Sequence, residues 1–255
     1  MSTPTQSKTV HKTKTKYELW QDTINTSLTD DRWHEYDCDI QRVVREFNNH
    51  LSGQSGYRSL DWQVIKAMIW TESGGPGNRA WKRNPMQIGN PGDPGLRALL
   101  SGNEGGDLIL PPGTRQVLTE VTARGTAIMN MRAGVGYLLM RLARFNIGTI
   151  LDESDTQVYT VEAGRADTYA KLARRTGTTV DILKKLNRGA MPLKPGTTLQ
   201  YRKARTGRII AGWDLITTTR IAQRYNVGDP SYAKKLNYCL SVMKTPVKEN
   251  AKCAA

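Results

Sequence analysis

A glutamate closes an apolar run in the stretch Ile69-Trp70-Thr71-Glu72-Ser73-Gly74-Gly75, and its setting suits acid–base chemistry. Ile65, Met68, Ile69 and Glu72 stand at i, i+3, i+4 and i+7, which is one face of an α-helix. On such a face burial disfavours the charged carboxylate, and the partial negative charge of a helix C-terminus disfavours it further. Both effects raise the pKa toward the range a general acid needs near neutral pH. Gly74-Gly75-Pro76 then stops the helix and opens space beside the acid. An ordinary solvated glutamate at a helix end has the same pattern, so the rest of the chain must decide.

Other chemistries find less support. Cys38, Cys239 and Cys253 have no C-x-x-C spacing, and their odd count argues against a disulfide framework. His11, His34 and His50 are scattered, so no metal centre is expected, and no cofactor is implied. The glycines at 102, 105 and 106 lack the Lys-Ser/Thr of a phosphate loop. No apolar run approaches the roughly 20 residues of a membrane span. The first twenty residues have no apolar core of a secretory signal, and up to about Tyr17 they read as a disordered lead-in. The net charge of +14 points to a polyanionic partner, either nucleic acid or an anionic bacterial envelope.

The elements that must position Glu72 are mainly helical. Apolar residues at 40, 43, 44 and 47, with Gly53 beyond, predict a helix over 37–51. The next helix is expected over 60–73, with Ser59 as N-cap and Asp61 in its first turn. Residues 74–113 are rich in Gly, Pro and Asn, and so long an irregular stretch is usually functional. Helices are expected over 115–124 and 128–145, the latter with a small-residue patch at Ala133, Gly134 and Gly136. From about Thr156 the texture becomes strand, helix, helix, strand: 159–161, 169–177, 180–186 and 198–201. Ten basic residues stand against three acidic ones over 156–203. A helical pattern returns over 213–242, broken near Gly228-Asp229-Pro230.

The strand–helix–helix–strand unit resembles a LysM domain. Tyr159-Thr160-Val161, Asp167-Thr168, the helix ending at Gly177, Leu186-Asn187 and Leu193-Lys194-Pro195-Gly196 follow that family's order. Arg165 and Ala166 separate Gly164 from Asp167-Thr168, which the family keeps adjacent. The resemblance implies binding of N-acetylglucosamine-containing glycans, with Gly164, Asp167, Thr168 and Asn187 as the glycan-binding residues.

The helical remainder resembles the lytic transglycosylases and goose-type lysozymes. Glu72-Ser73-Gly74, Met86-Gln87-Ile88, Asn130 with Gly134 and Tyr137-Leu138, and Tyr225-Asn226-Val227-Gly228 with Tyr232 following carry the likeness in order. Asn84-Pro85 stands where the family has Gly-Leu, and residues 89–113 match nothing in it. The fold implied is mainly α, a lysozyme-like helical catalytic domain over 37–155 and 204–245 interrupted by a βααβ LysM domain over 156–203. A partly disordered lead-in over 1–36 and a tail over 246–255 flank it.

The implied activity is cleavage of the β-1,4 bond between N-acetylmuramic acid and N-acetylglucosamine in peptidoglycan. Glu72 is the expected general acid and base; Ser73, Met86, Gln87, Tyr225 and Asn226 are the expected substrate-binding residues. Trp70 and Trp81 are candidates for stacking on sugars. Asp93, Glu104 and Asp107 are candidate second acids, Asp93 foremost. A lone acid would give a 1,6-anhydro product, and a second carboxylate a hydrolase. The alternative is an inactive wall-binding or assembly protein; specific nucleic-acid binding rests on charge alone. Without a secretory signal, delivery as an antibacterial effector or release as a phage endolysin is expected, acting in the periplasm or on the wall. A secretion machine and an immunity protein are then the expected partners besides peptidoglycan.

Overall fold

A computed structural model describes residues 13–189 and 192–245 and Cys253. Its helices up to the middle of the chain are α1 (Lys16–Asn25), α2 (Asp37–Leu51), α3 (Trp62–Ser73), α4 (Arg79–Arg83) and α5 (Gly95–Ser101). After them come α6 (Gly106–Ile109), α7 (Pro112–Val117), α8 (Glu120–Gly125) and α9 (Ala127–Leu142). Strands β1 (Ala143–Leu151) and β2 (Tyr159–Glu162), helices α10 (Tyr169–Thr176) and α11 (Val180–Leu186), and strands β3 (Thr198–Tyr201) and β4 (Ala204–Trp213) follow. Helices α12 (Thr218–Arg224) and α13 (Tyr232–Met243) close the order. The chain divides into two compact units, residues 1–142 with 214–255 and residues 143–213.

The first unit is helical and built around α9. Eleven of the sixteen α9 residues are buried, because its sequence is apolar nearly all round. Helix α2 is amphipathic instead and turns Ile40, Val43, Val44, Phe47 and Leu51 inward. Each such side chain contributes about 1.5–3 kcal/mol of burial. Helix α3 packs against α2 and α13 and contributes Ile65, Met68, Ile69 and Trp70 to the core. A Cβ on Gly134 would fall 2.5 Å from Met86 Sδ, so only glycine lets α9 approach the loop that carries Met86.

Several sequence expectations shift here. Helix α3 begins at Trp62, and its N-cap is Asp61, which accepts a hydrogen bond from Gln63 N; Ser59 is not the cap. The stretch 115–124 is two short helices, because Thr119 interrupts it and caps α8 with its hydroxyl. Helix α9 stops at Leu142, and the chain continues as a strand to Leu151 where helix was expected to 145. Helix likewise begins at Thr218 and not at Trp213. The irregular stretch 74–113 holds α4, α5 and α6.

The lead-in expected over 1–36 carries ordered structure from Lys16 onward. Thr15 and Glu18 form a capping box on α1, and two 3-10 turns follow at Thr26–Leu28 and Asp31–His34. These turns are held through buried Lys66 and its half-buried partners Asp37 and His34. Lys66 Nζ lies 2.7 Å from Asp37 Oδ2 and 2.7 Å from His34 Nδ1, with burial pushing the lysine pKa down. Because Nδ1 accepts from the ammonium, Nε2 carries the hydrogen and donates to Ser27 O at 3.1 Å. The expected disorder over residues 1–12 lies outside the described residues, as does most of the expected 246–255 tail.

The tail contributes one described residue, and it corrects a cysteine expectation. Cys38 and Cys253 form a disulfide across 215 residues, and Cys239 remains free and buried on α13. An odd count leaves one thiol over; it does not forbid a bridge between the other two.

The second unit has two antiparallel two-stranded sheets, β1–β4 and β2–β3. Strands β2 and β3 pair from Tyr159↔Tyr201 to Glu162↔Thr198. Ala163, Leu172, Ala173, Leu183 and Leu199 form the small core beneath them. The unit extends beyond 156–203 because β1 and β4 pair along nearly their whole length, with one irregularity at Arg144/Phe145.

Candidate active site

Glu72 sits one residue before the C-terminus of α3, where Gly74 takes φ +68° and ends the helix. Gly75, at φ +94°, lies against the Trp33 ring so closely that a Cβ would fall 2.3 Å from it. The glutamate is half-buried, and its Oε1 accepts a hydrogen bond from Tyr232 Oη at 2.7 Å. Asn226 Nδ2 stands 3.4 Å from the same oxygen. Burial raises the Glu72 pKa above the usual carboxylate value; the bonds from Tyr232 and Asn226 act against the rise. Asp229 pushes it up and Lys235 pulls it down, and these two residues are paired with each other at 2.7 Å.

The loop after α4 is fastened to the backbone carbonyl of Glu72 by side chains that also bond one another. Gln87, at φ +54°, is the one non-glycine with positive φ among the described residues, a strain of about 1–3 kcal/mol. Its Nε2 donates to Glu72 O at 2.7 Å and its Oε1 accepts from Asn90 Nδ2 at 3.0 Å. Asn84 in turn donates to Asn90. Fully buried Asn130, on α9, accepts from Met86 N at 2.9 Å and donates to Ile88 O and Ala123 O. Tyr225 Oη donates to Met86 O at 2.9 Å, and its ring meets Tyr137 edge-on at 5.6 Å.

These residues bound a cavity of about 170 Å³. Glu72, Met86, Gln87 and Ile88 form one part of its lining, and Asp93, Tyr137, Tyr225 and Asn226 the other. Burial and the charge of Glu72 push the Tyr225 and Tyr232 phenols up, so both stay protonated.

Of the expected site residues, Glu72, Met86, Gln87, Tyr225, Asn226 and Asp93 meet at this cavity. Ser73 does not: its hydroxyl donates to Ile69 O at 2.6 Å and accepts from Gly75 N, finishing the helix. Asp93 accepts from Gly89 N and Gly95 N, so both oxygens also hold a turn. Glu104 pairs with Arg141 away from the cavity, and Asp107 lines a separate cleft of about 620 Å³. Trp70 and Trp81 are core residues, each about 1% exposed, with indole N–H groups bonded to Trp33 O and the Glu35 carboxylate. Neither presents a face to a sugar.

Tyr232 and Tyr137 belong to the site although the sequence marked them only as pattern residues. The usable signal was periodicity: Tyr232, Leu236 and Cys239 stand at i, i+4 and i+7 on the buried face of α13.

In the second unit, the expected glycan-binding residues organise the backbone. Asp167 Oδ2 accepts from Gly164 N at 2.8 Å and pairs with Arg175, while Thr168 caps α10 through Lys171 N. Asn187 bridges to β3, exchanging hydrogen bonds with Gln200 N and O. Gly164, Asp167 and Thr168 are thus gathered in one loop, and Asn187 stands at the end of α11.

Residues 159–201 match the LysM domain family. This match supports binding to peptidoglycan. No curated protein and no solved structure matches the chain.

Proposed function

We propose that this protein cleaves the β-1,4 bond between N-acetylmuramic acid and N-acetylglucosamine in peptidoglycan, with the LysM domain holding it on the wall. The reading is carried by Glu72: a half-buried carboxyl with a raised pKa on the wall of a cavity, bonded to Tyr232. Protonated Glu72 donates to the bridging oxygen as an oxocarbenium-like transition state develops at the anomeric carbon. The resulting carboxylate then removes the proton of the muramoyl 6-hydroxyl, which closes a 1,6-anhydro ring. In the hydrolytic variant a water takes the place of that hydroxyl, and Asp93 is the second carboxylate on the same cavity. The hold of two backbone amides on Asp93 favours the lone-acid route. The LysM domain raises the effective concentration of the acid at its polymer.

The site of action in this reading is an oxidising compartment, the periplasm or outer wall of a target cell. The Cys38–Cys253 disulfide supports it, because such bonds persist outside the reducing cytosol. Secretion as an effector, with an immunity protein in the producer, or release as an endolysin would both deliver it there.

The second reading, an inactive wall-binding protein, is favoured by the narrowness of the cavity, about 170 Å³ beside an acid already bonded by two side chains. Digestion of purified sacculi followed by mass spectrometry of the products separates these readings. Anhydro-muropeptides lack the mass of one water relative to reducing ones. Glu72→Gln is expected to lower their release by a factor of about 10²–10⁴ while the protein still sediments with the wall. Undiminished release by that variant rejects Glu72; no release by the natural chain leaves the binding protein.

A further inference from the structure

The helices of the LysM unit carry a charge that glycan binding leaves unused. On α10, Lys171, Arg174 and Arg175 stand at i, i+3 and i+4, all exposed, opposite the buried Leu172 and Ala173. Lys184, Lys185 and Arg188 are exposed on and just after α11. Helices α10 and α11 pack together, and Lys184 Nζ lies 6.0 Å from the ring centre of Tyr169 on α10, so both helices bring cations to the same small unit. Lys171 Nζ donates to Ala166 O at 2.9 Å, which joins them to the loop bearing exposed Arg165. Arg175 is paired with Asp167. The other six basic residues make no ion pair with a carboxylate of the described residues.

We propose that this face binds the carboxylate-bearing peptide stems of peptidoglycan, beside the glycan that the LysM domain takes. The proposal rests on the wall-binding reading above. Unpaired cations gathered on so small a unit repel one another, and an anionic partner relieves that repulsion. Stems branch from the glycan backbone, so their carboxylates lie within reach of any module seated on the sugars. The arginines of this face match a carboxylate's two oxygens with a planar guanidinium, and the lysines meet carboxylates as point charges. Single-stranded nucleic acid would call for exposed aromatic platforms among the cations. Here Tyr169 is half-buried, packed against the LysM core.

The test uses the full chain bearing Glu72→Gln, so that the polymer is not digested. It is compared with the same chain also carrying Arg174→Gln, Lys185→Gln and Arg188→Gln. Binding is read by co-sedimentation with insoluble peptidoglycan, before and after an amidase removes the stems. The charge variant is expected to bind stem-bearing wall about tenfold more weakly at low salt. The gap closes at high salt, and both proteins bind stripped glycan alike. A second variant, Arg174→Lys with Arg188→Lys, keeps the charge and is expected to keep the affinity, which separates charge from folding. Equal binding of stem-bearing wall by the charge variant and its parent overturns the proposal, as does an equal loss on both polymers. Failure of the parent chain to bind either polymer overturns the wall-binding reading itself. Tighter retention of duplex DNA than of wall, lost in the charge variant, assigns the face to nucleic acid and also overturns it.

Discussion

At Glu72 two influences oppose each other. Burial favours the neutral acid, while the donors on Tyr232 and Asn226 favour the carboxylate, and burial prevails. The folded pKa therefore lies above the unfolded one, and folding favours the protonated form. The stability this group contributes is fully present below the ordinary value of 4.5 and is lost as pH rises through the raised value. Glu72→Gln should accordingly unfold at a higher temperature than the natural protein at neutral pH, with the advantage vanishing in acid; thermal melts across pH check this. Tyr232→Phe removes a bond that lowers the glutamate pKa, so the alkaline limb of wall digestion should move to higher pH. A pH–rate profile with that limb unmoved would show that Tyr232 does not tune the acid.

Among the elements, the Met86–Gln87 loop is set by α9 and α3 together. Asn130 holds its backbone, Gln87 ties it to the end of α3, and Gly134 leaves the space Met86 fills. Gly134→Val should destabilise the fold by about 1–3 kcal/mol, because the added atoms meet Met86 with no room to give. Denaturant titration measures that loss. Wall digestion by the variant should fall further than the folded fraction does, since the displaced loop also carries the strained Gln87. The existence of α2 and α3 was legible in apolar spacing, and so was the stop at Gly74. The change from α9 to β1 was not, because Phe145, Ile147 and Ile150 become strand residues only through pairing with β4, which begins more than fifty residues after β1 ends.

For the whole molecule, the disulfide ties the N-terminal end of α2 to the last residues of the chain. Closing so long a loop restricts the unfolded chain, and removing the bond through Cys38→Ser should cost about 2–4 kcal/mol. Comparing thermal midpoints of oxidised, reduced and Cys38→Ser protein tests this; coincident midpoints would show that the bridge bears no load. The net charge of +14 adds attraction to anionic polymers that salt screens.

By itself the sequence determined what is written in neighbouring residues. The LysM unit was legible because its strands, helices and turns signal themselves within a stretch of 43 residues, 159–201. Glu72 was legible as an acid on an apolar helix face. Only the tertiary structure decided what that acid meets, since its bond to Tyr232 spans 160 positions and the cysteine bridge spans 215. It also removed Trp70, Trp81 and Ser73 from the cavity and left Asp93 as the one candidate second acid on it. The physical reason is that side-chain periodicity encodes which face of an element is buried, whereas the identity of the partner depends on how distant elements pack.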